Sequence, residues 1–491
     1  MLGSASKNMK RSPFLFDRKI LSNKKTLRYG CDQCADENAI CKIAHIGATE
    51  LQSNSDFLYD GEKYDLLGLS MKKYKNYIAL FYVLAVFFII PIYNRGSYDN
   101  ISVHKTDAFL FLCGIGLVSY VITSVIDDVK KRDEENVRKK RLSKTDISML
   151  IFGGVILVSA VLSNSLKESI YGVPGFGMGA LALCLMILSF FYVSRYFVYS
   201  KWIIHTIVAS SAIPTILAII NRMGADPLKM QDGAGEAGHS LYVSTFGNYG
   251  WYCEYMSVII PIAIYMLFTT KDMVERTLYG IYVGIIEFAM LMCGTAMIWV
   301  ASAVAFLFVL KRKLKPDKKL ITAKQVPLVI GGVVLLYVIF VLVAARNPNF
   351  ANGRGYIWRL SFDLYGSLPF DEKLIGVGPN RFMYALNDYF AQRPDAAAEF
   401  QARFNDLALT SAHSEYLDYL ICTGLLGLAA YLYMIYRVVE RYIQVGVGKK
   451  DREIAFVAAL SYMVYSLGNF SMVCATPMFF IFLGMVAKER R

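Results

Sequence analysis

Residues 147–166 read ISMLIFGGVILVSAVLSNSL, a run of 20 residues without a charged side chain. Lys144 lies shortly before this run and Lys167 directly follows it. A helix needs ~20 predominantly apolar residues to cross the hydrocarbon core of a bilayer. The stretch therefore predicts a membrane-spanning helix bounded by basic residues.

The remainder of the 491-residue chain has the same apolar character, since 55% of all residues are hydrophobic and 19% are charged. The mean hydropathy is +0.40, which is too apolar for an ordinary soluble multidomain enzyme and excludes disordered, collagen-like and disulfide-scaffold proteins. The 52 Lys and Arg residues give a net charge of +13. These residues form short clusters between apolar runs, a pattern that indicates membrane topology and not nucleic-acid binding.

The apolar runs predict an all-α polytopic integral membrane protein with about twelve transmembrane helices. The predicted spans are residues 77–93, 108–126, 147–165, 180–197, 202–223, 256–270, 277–293, 295–310, 326–345, 416–436, 454–470 and 473–487. An even number of crossings places both termini on the same side of the membrane. We expect a cytoplasmic N-terminal tail over residues 1–75 and a membrane domain over 76–491.

The distribution of Lys and Arg predicts the orientation of the chain. Segment 127–146 is strongly basic, whereas the next loop, 167–179, has a single basic residue. Because positive loops stay inside, 127–146 is predicted to be cytoplasmic. The run 277–310 has basic residues on both flanks, which predicts a hairpin that turns near Gly294. Segment 347–415 is then a large external helical loop between spans 9 and 10.

The N-terminal tail contains a compact group of thiols and one imidazole: Cys31, Cys34, Cys41 and His45. Three cysteines and one histidine are the ligand count of a tetrahedral zinc site. Their spacing differs from that of a standard zinc finger, and reduced cytoplasmic cysteines are the alternative interpretation. The group is thus a weak candidate for metal binding.

Four stretches of the sequence together resemble one protein family. They are STFGNYGWYCEY (244–255), GRGYIW (353–358), LPFDEKLIGVGPNRF (368–382) and AHSEYLDYLICTGLLG (412–427). In this order they are similar to the core of the bacterial O-antigen ligase and O-unit polymerase superfamily. The resemblance implies an inverting glycosyl transfer on the external face, from undecaprenyl diphosphate to an acceptor hydroxyl, without a metal or cofactor.

His413 is the predicted catalytic residue. Thr410 and Ser411 precede it and are able to cap a helix, which would place the imidazole in the first turn against the positive end of the helix dipole. That field disfavours the imidazolium, so a neutral ring could accept the proton of a sugar hydroxyl as a general base. The alternative is an interfacial histidine that is hydrogen-bonded to the backbone.

A departing lipid diphosphate requires fixed cations, and arginine supplies a permanent planar charge. Arg354, which the resemblance places before the family's aromatic residue, is the first candidate, ahead of Arg222, Arg359 and Arg381. For each of them the alternative is a snorkelling or salt-bridged surface residue.

Three further residues are candidates for binding the substrate. Glu415 and Asp418 are expected to orient His413 or to bind sugar hydroxyls. Asn248 is expected either to bind a sugar or diphosphate oxygen or to cap the sixth span. Gly376 and Gly378 in the IGVGP turn are expected to shape the backbone and not to take part in catalysis.

The chain departs from the superfamily pattern at the predicted hairpin. The family often has Ser or Thr followed by Arg there, whereas this chain has Thr295 followed by Ala296. If a diphosphate-binding arginine belongs at this position, Arg222 or Arg381 supplies the charge instead, or the step is impaired.

The most favoured function is a polysaccharide polymerase in the bacterial cytoplasmic membrane, acting on O-antigen, capsule or wall polysaccharide. A ligase that transfers the glycan to a lipid or protein acceptor is the alternative within the family. A transporter of lipid-linked sugars or polysaccharide is the alternative of another class. The expected partners are a lipid-linked glycan, an acceptor glycan or glycolipid and membrane lipids, with a chain-length regulator or a flippase as candidate protein partners.

Overall fold

The computed structural model describes residues 71–95, 100–131, 142–231, 243–293, 295–316, 319, 321–405 and 408–488. Throughout these ranges the regular structure is helical, and they contain no strand. The all-α prediction is confirmed for this part of the chain. The N-terminal cysteines and His45 lie outside the described residues.

The α-helices are numbered here in chain order. The first nine are α1 (Met71–Ile92), α2 (Ile101–Lys131), α3 (Lys144–Leu162), α4 (Leu166–Tyr171), α5 (Ala180–Tyr196), α6 (Lys201–Ser210), α7 (Ala212–Arg222), α8 (Tyr249–Thr269) and α9 (Met273–Cys293). They are followed by α10 (Ala296–Leu314), α11 (Val326–Ala344), α12 (Arg354–Ser367), α13 (Phe370–Ile375), α14 (Phe382–Gln392), α15 (Pro394–Phe404), α16 (Glu415–Cys422), α17 (Gly424–Val445), α18 (Lys450–Tyr465) and α19 (Thr476–Ala487).

Seven segments of the described chain are long and apolar enough to cross a membrane: α1, α2, α3, α6 with α7, α8, α9 and α11. Two shorter apolar helices, α5 and α19, accompany them. Each predicted span overlaps at least one helix. The full number of crossings, about twelve, stays a prediction.

Helix α3 shows how the sequence sets a boundary. The Ser143 hydroxyl accepts a hydrogen bond from the Asp146 backbone N–H at 3.1 Å, and the Asp146 carboxylate accepts one from the Ser143 N–H at 3.0 Å. This reciprocal capping box satisfies two N–H groups that the helix itself leaves unbonded. The helix ends at Leu162, where Ser163 turns to extended backbone.

Helix α8 forms the centre of the bundle and α11 its periphery. In an apolar stretch of 18 residues taken from each helix, 83% of the stretch in α8 is buried inside the protein, compared with 11% of that in α11. Helix α8 packs against α9, α10 and α18, while α5 packs against α19. A helix that is apolar on all sides and yet exposed in the isolated protein, as α11 is, fits contact with lipid.

Two predicted spans each contain a break between two helices. Span 416–436 divides into α16 and α17, because Gly424 adopts a φ of +68° and lies so close to α13 that a Cβ there would be 2.3 Å from the Leu374 carbonyl carbon. Span 202–223 divides at Ser211 into α6 and α7. Close backbone packing and local backbone turns, which hydropathy does not register, cause these breaks.

The run 277–310 forms two helices, as the hairpin prediction requires, with the break between Cys293 and Ala296. Gly294 itself lies outside the described residues. Helix α1 begins at Met71 and so includes the last residues of the predicted tail.

Segment 347–415 contains the four helices α12 to α15. Helix α12 packs against α11, α14 and α16. This segment therefore brings Arg354, at the start of α12, towards the loop that precedes α16.

Candidate functional site

His413 lies in the loop before α16 and not in its first turn. Its backbone adopts the left-handed conformation with φ +51°, and Ser414 is the residue that caps α16 by accepting from the Leu417 N–H at 3.4 Å. The predicted cap at Thr410 or Ser411 is therefore wrong. Ser411 instead turns inward, with its Oγ 3.1 Å from His413 Nδ1 and 3.3 Å from the His413 backbone N.

The loop that carries His413 is fixed from both sides. The Asp418 carboxylate accepts a hydrogen bond from the Ala412 N–H at 2.8 Å. On the other side, the Tyr337 hydroxyl of α11 lies 2.6 Å from Ser414 Oγ. These contacts constrain the residues immediately before and after His413. Asp418 thus contacts the backbone of the residue before His413, which makes it a candidate for positioning the loop.

A short segment between α18 and α19 brings the site together. Tyr337 donates to the Leu467 carbonyl at 2.6 Å, and Arg354 Nε donates to the next carbonyl, that of Gly468, at 3.0 Å. Phe470 stacks on the imidazole of His413, with 5.3 Å between ring centroids and 28° between ring planes. Three neighbouring residues therefore hold α11, α12 and the His413 loop in one place.

Arg354 is the cation of this site. It is half-buried, and its guanidinium donates to the backbone carbonyls of Gly468 and, at 3.2 Å, Ala351. Among the residues that the structure describes, no carboxylate forms an ion pair with it. Because carbonyl contacts leave its positive charge uncompensated, Arg354 is able to attract an anion.

The imidazole of His413 is neutral at physiological pH. Burial lowers its pKa to about 3, and the positive charge of Arg354 adds to this effect. The prediction of a neutral imidazole agrees with this lowered pKa. The cause is burial and the charge of Arg354, and not the helix dipole. The environment thus supplies an uncharged ring nitrogen beside a fixed cation.

Glu415 and Asp418 line a small cavity next to the loop. Glu415 is fully buried, and its carboxylate accepts from the Tyr431 hydroxyl at 2.8 Å. The cavity has a volume of about 40 Å³ and is also lined by Ser411 and Phe470. Small-molecule pockets have roughly 300–1,000 Å³, so in this conformation the cavity has room for water and not for a sugar ring.

Two of the other candidate arginines are paired with carboxylates. Arg359 lies 2.6 Å from Glu399 on the exposed side of α12. Arg381 is buried and lies 3.1 Å from Glu168 of α4. Their charges are therefore compensated within the protein, in contrast to that of Arg354. Arg222 ends α7, where its Nε donates to the Met292 carbonyl at 2.9 Å.

Asn248 is the N-cap of α8, since its side-chain oxygen accepts from the Gly250 N–H at 2.7 Å. The capping alternative is thus confirmed. The turn at 376–378 has the expected positive φ values, 86° at Gly376 and 110° at Gly378. It docks on the end of α16, where the Gly378 N–H donates to the Cys422 carbonyl at 3.0 Å.

The sequence did not identify Tyr337 and Phe470 as members of the site. Both lie in apolar stretches far along the chain from His413, and only packing brings them to it. Thr295 and Ala296 mark the start of α10, where Ala296 is exposed. In the described part of the chain, no group of three or more His, Cys, Asp or Glu residues is arranged to hold a metal ion.

A bundle of apolar helices that brings His413 and Arg354 together defines an integral membrane protein with a polar candidate site. Residues 256–432 match the family model of O-antigen ligase. This region contains His413, Arg354 and Arg381, and the match confirms the resemblance to the O-antigen ligase and O-unit polymerase superfamily. The family points to a membrane enzyme of O-antigen-related glycan biosynthesis. No curated protein matches the chain.

Proposed function

We propose that the protein transfers a glycan from undecaprenyl diphosphate to an acceptor sugar hydroxyl at the external face of the cytoplasmic membrane. The observation that carries this proposal is a neutral His413 beside Arg354, whose charge no described carboxylate compensates. A general base and a cation for the leaving group are the two requirements of such a transfer.

In the proposed reaction, Nδ1–H of His413 donates to Ser411 Oγ, which leaves Nε2 with a free lone pair. Nε2 takes the proton of the acceptor hydroxyl while the oxygen attacks the anomeric carbon of the lipid-linked sugar. The bond between that carbon and the diphosphate oxygen breaks, and undecaprenyl diphosphate leaves with the electron pair. The proton then passes from His413 to water. Attack from the side opposite the leaving group inverts the anomeric configuration.

Arg354 stabilises the negative charge that develops on the diphosphate. Because its position is fixed by two backbone carbonyls, little reorganisation accompanies the reaction. Arg222, Arg359 and Arg381 are secondary candidates for the diphosphate or for sugar hydroxyls. Since Arg359 and Arg381 are already paired, Arg354 is ranked first. The reaction as written uses no metal.

The experiment that tests this proposal compares His413→Ala with the wild type in lipid nanodiscs. With undecaprenyl-linked repeat units as substrate, we expect about a 10²- to 10⁴-fold lower transfer rate. His205→Ala is the matched control, because His205 lies on α6 and contacts Tyr279 away from the site. A well-folded His413→Ala protein that transfers glycan at the wild-type rate would refute the proposal.

Between the two family activities we favour the polymerase, whose acceptor is another lipid-linked repeat unit. The discriminating measurement supplies the purified enzyme with undecaprenyl-linked repeat units and no second acceptor. Growth of chains identifies a polymerase. If products form only after a glycolipid or protein acceptor is added, the protein is a ligase.

A further inference from the structure

A second and larger cavity opens beside the His413 site. It has a volume of about 440 Å³ and lies between α2, α4, the loop 172–177 and α14. This volume is within the roughly 300–1,000 Å³ that is typical of small-molecule sites. Its lining includes two aromatic and three charged residues: Tyr171, Tyr384, Asp107, Lys167 and Glu168. We name it the α2/α4 groove.

The lining of the α2/α4 groove combines aromatic rings with a free acceptor. Tyr171 is 60% exposed, and Tyr384 is partly exposed on the opposite wall. Asp107 is exposed, and within the described residues no hydrogen bond or ion pair occupies its carboxylate. Aromatic faces pack against the apolar faces of sugar rings, and a carboxylate accepts hydrogen bonds from their hydroxyls.

The charges of the groove do not favour a phosphate ligand. Glu168 of the lining is paired with the buried Arg381 at 3.1 Å, so these two charges compensate each other. The remaining charged groups of the lining are Lys167 and Asp107, which have opposite signs. A ligand that is rich in hydroxyls and carries little net charge fits this balance better than a diphosphate does.

One loop forms a wall of both cavities. Gly172, Gly175 and Gly177 line the groove, whereas Phe176 and Met178 line the small cavity that contains Glu415. The Phe176 ring contacts Phe470 at 6.2 Å between centroids, and Phe470 in turn stacks on His413. Phe176, which lies between Gly175 and Gly177 of the groove wall, therefore connects this wall through Phe470 to the imidazole.

The shared loop is held firmly in place. The Asn380 side chain accepts a hydrogen bond from the Val173 N–H at 2.8 Å, which ties the loop to the turn before α14. Gly177 has a φ of +62°, and a Cβ there would lie 2.4 Å from the Thr106 methyl carbon. The wall between groove and site is thus a defined structure.

We infer that the α2/α4 groove binds sugar rings of the glycan substrate next to the reaction centre. This inference rests on the proposed function, and it assigns the binding to residues of α2 and α4, which precede the region matched by the family model. The sugars belong either to the acceptor glycan or to the lipid-linked donor. These two sources share their chemistry, and the experiment separates them.

The probe for binding is the set of oligosaccharides released by mild acid from the surface polysaccharide of the source strain. Calorimetry with the full chain in nanodiscs compares the wild type with Tyr171→Ala and Asp107→Asn. We expect each variant to bind the oligosaccharides about fivefold more weakly, because Tyr171→Ala removes the stacking ring and Asp107→Asn removes the negative charge and one of two acceptor oxygens. Tyr171→Phe, which keeps the ring, and Tyr433→Ala, at an exposed site on α17, are matched controls with expected wild-type affinity.

A second arm measures KM for undecaprenyl-linked repeat units. If the variants have a raised KM and also bind the oligosaccharides more weakly, the groove binds sugars of both the donor and the acceptor. If only oligosaccharide binding is weaker, the groove binds the acceptor glycan. Wild-type affinity and wild-type KM in both Tyr171→Ala and Asp107→Asn would overturn the inference and leave His413 chemistry untouched. Full transfer by His413→Ala would instead refute the proposed function. Because oligosaccharide binding is measured by calorimetry and not by transfer, the two failures are distinguishable.

Discussion

At the scale of single residues, one arginine has two roles in the proposed reaction. Burial lowers the pKa of His413 and the positive charge of Arg354 lowers it further, which keeps the imidazole in the form that accepts a proton. The same charge faces no described carboxylate and is able to stabilise a leaving diphosphate. In the proposed reaction a bound diphosphate offsets this charge, so the basicity of His413 increases when the donor is present.

The low pKa of His413 predicts an unusual pH dependence. A base must be unprotonated, so activity is present above its pKa and is lost as the pH falls through it. With a pKa of about 3, kcat/KM for undecaprenyl-linked units should not decline between pH 8 and pH 5. Measurement of kcat/KM across this range tests the prediction. A decline centred near pH 6.5 would show that the ring has its ordinary pKa.

Replacement of Arg354 separates its two effects. We expect Arg354→Ala to lower kcat by about 10²- to 10³-fold, because a fixed donor to the developing charge is lost. Arg354→Lys should retain part of the rate, since the charge remains and the planar geometry does not. Arg403→Ala, which removes an exposed cation on α15, is the control. Equal rates for the alanine variant of Arg354 and this control would contradict the prediction.

At the scale of the elements, the junction of α13 with α16 and α17 shapes the site. Gly376 and Gly424 face each other's backbone, and a Cβ on either would lie 2.3 Å from a carbonyl carbon of the other segment. Both have positive φ values, 86° and 68°. The junction ends α16 after two turns and places its first turn, with Glu415 and Asp418, beside the His413 loop.

Gly424→Ala should destabilise the protein. The left-handed conformation costs a residue with a Cβ about 1–2 kcal/mol, and the close backbone contact adds to this. Thermal unfolding in detergent is the measurement. Gly366→Ala on α12 is the control, because no atom lies within 4 Å of its added Cβ and a helical alanine is favoured over glycine. If both variants unfold at the same temperature, the predicted destabilisation by a Cβ at Gly424 is wrong.

At the scale of the whole molecule, a buried ion pair connects three central helices. Arg312 of α10 lies 2.6 Å from Glu453 of α18, and both side chains are almost fully buried. Tyr265 of α8 donates to the other oxygen of Glu453 at 2.6 Å. These contacts fix α8, α10 and α18 relative to one another at the end of the bundle away from His413.

Glu453→Ala should lower the free energy of unfolding by about 3–5 kcal/mol, because it leaves Arg312 as a buried charge without its carboxylate. Glu399→Ala removes an exposed carboxylate that pairs with Arg359 and should change it by about 1 kcal/mol or less. Chemical or thermal unfolding of both variants in the same detergent checks this difference. Similar losses in the two variants would contradict the structural role of the buried pair.

The sequence by itself determined the class of fold and the principal residues of the candidate site. An uncharged run such as 147–166 predicts a helix because hydropathy is a sum over neighbouring residues, and α3 occupies most of that run. The break between α9 and α10 followed from charges on both flanks. His413 and Arg354 were predicted from short motifs that resemble those of a known family, and such motifs are also properties of adjacent residues.

Only the tertiary structure decided what surrounds those residues. The segment 467–470 brings Arg354 to His413, although it lies more than 50 residues from His413 and more than 100 from Arg354 along the chain. The division at Gly424 arises from contact with α13, and the α2/α4 groove forms from three separate segments of the chain. Hydropathy and motif spacing describe neighbours along the chain, whereas burial, ion pairing and the pKa of His413 depend on neighbours in space.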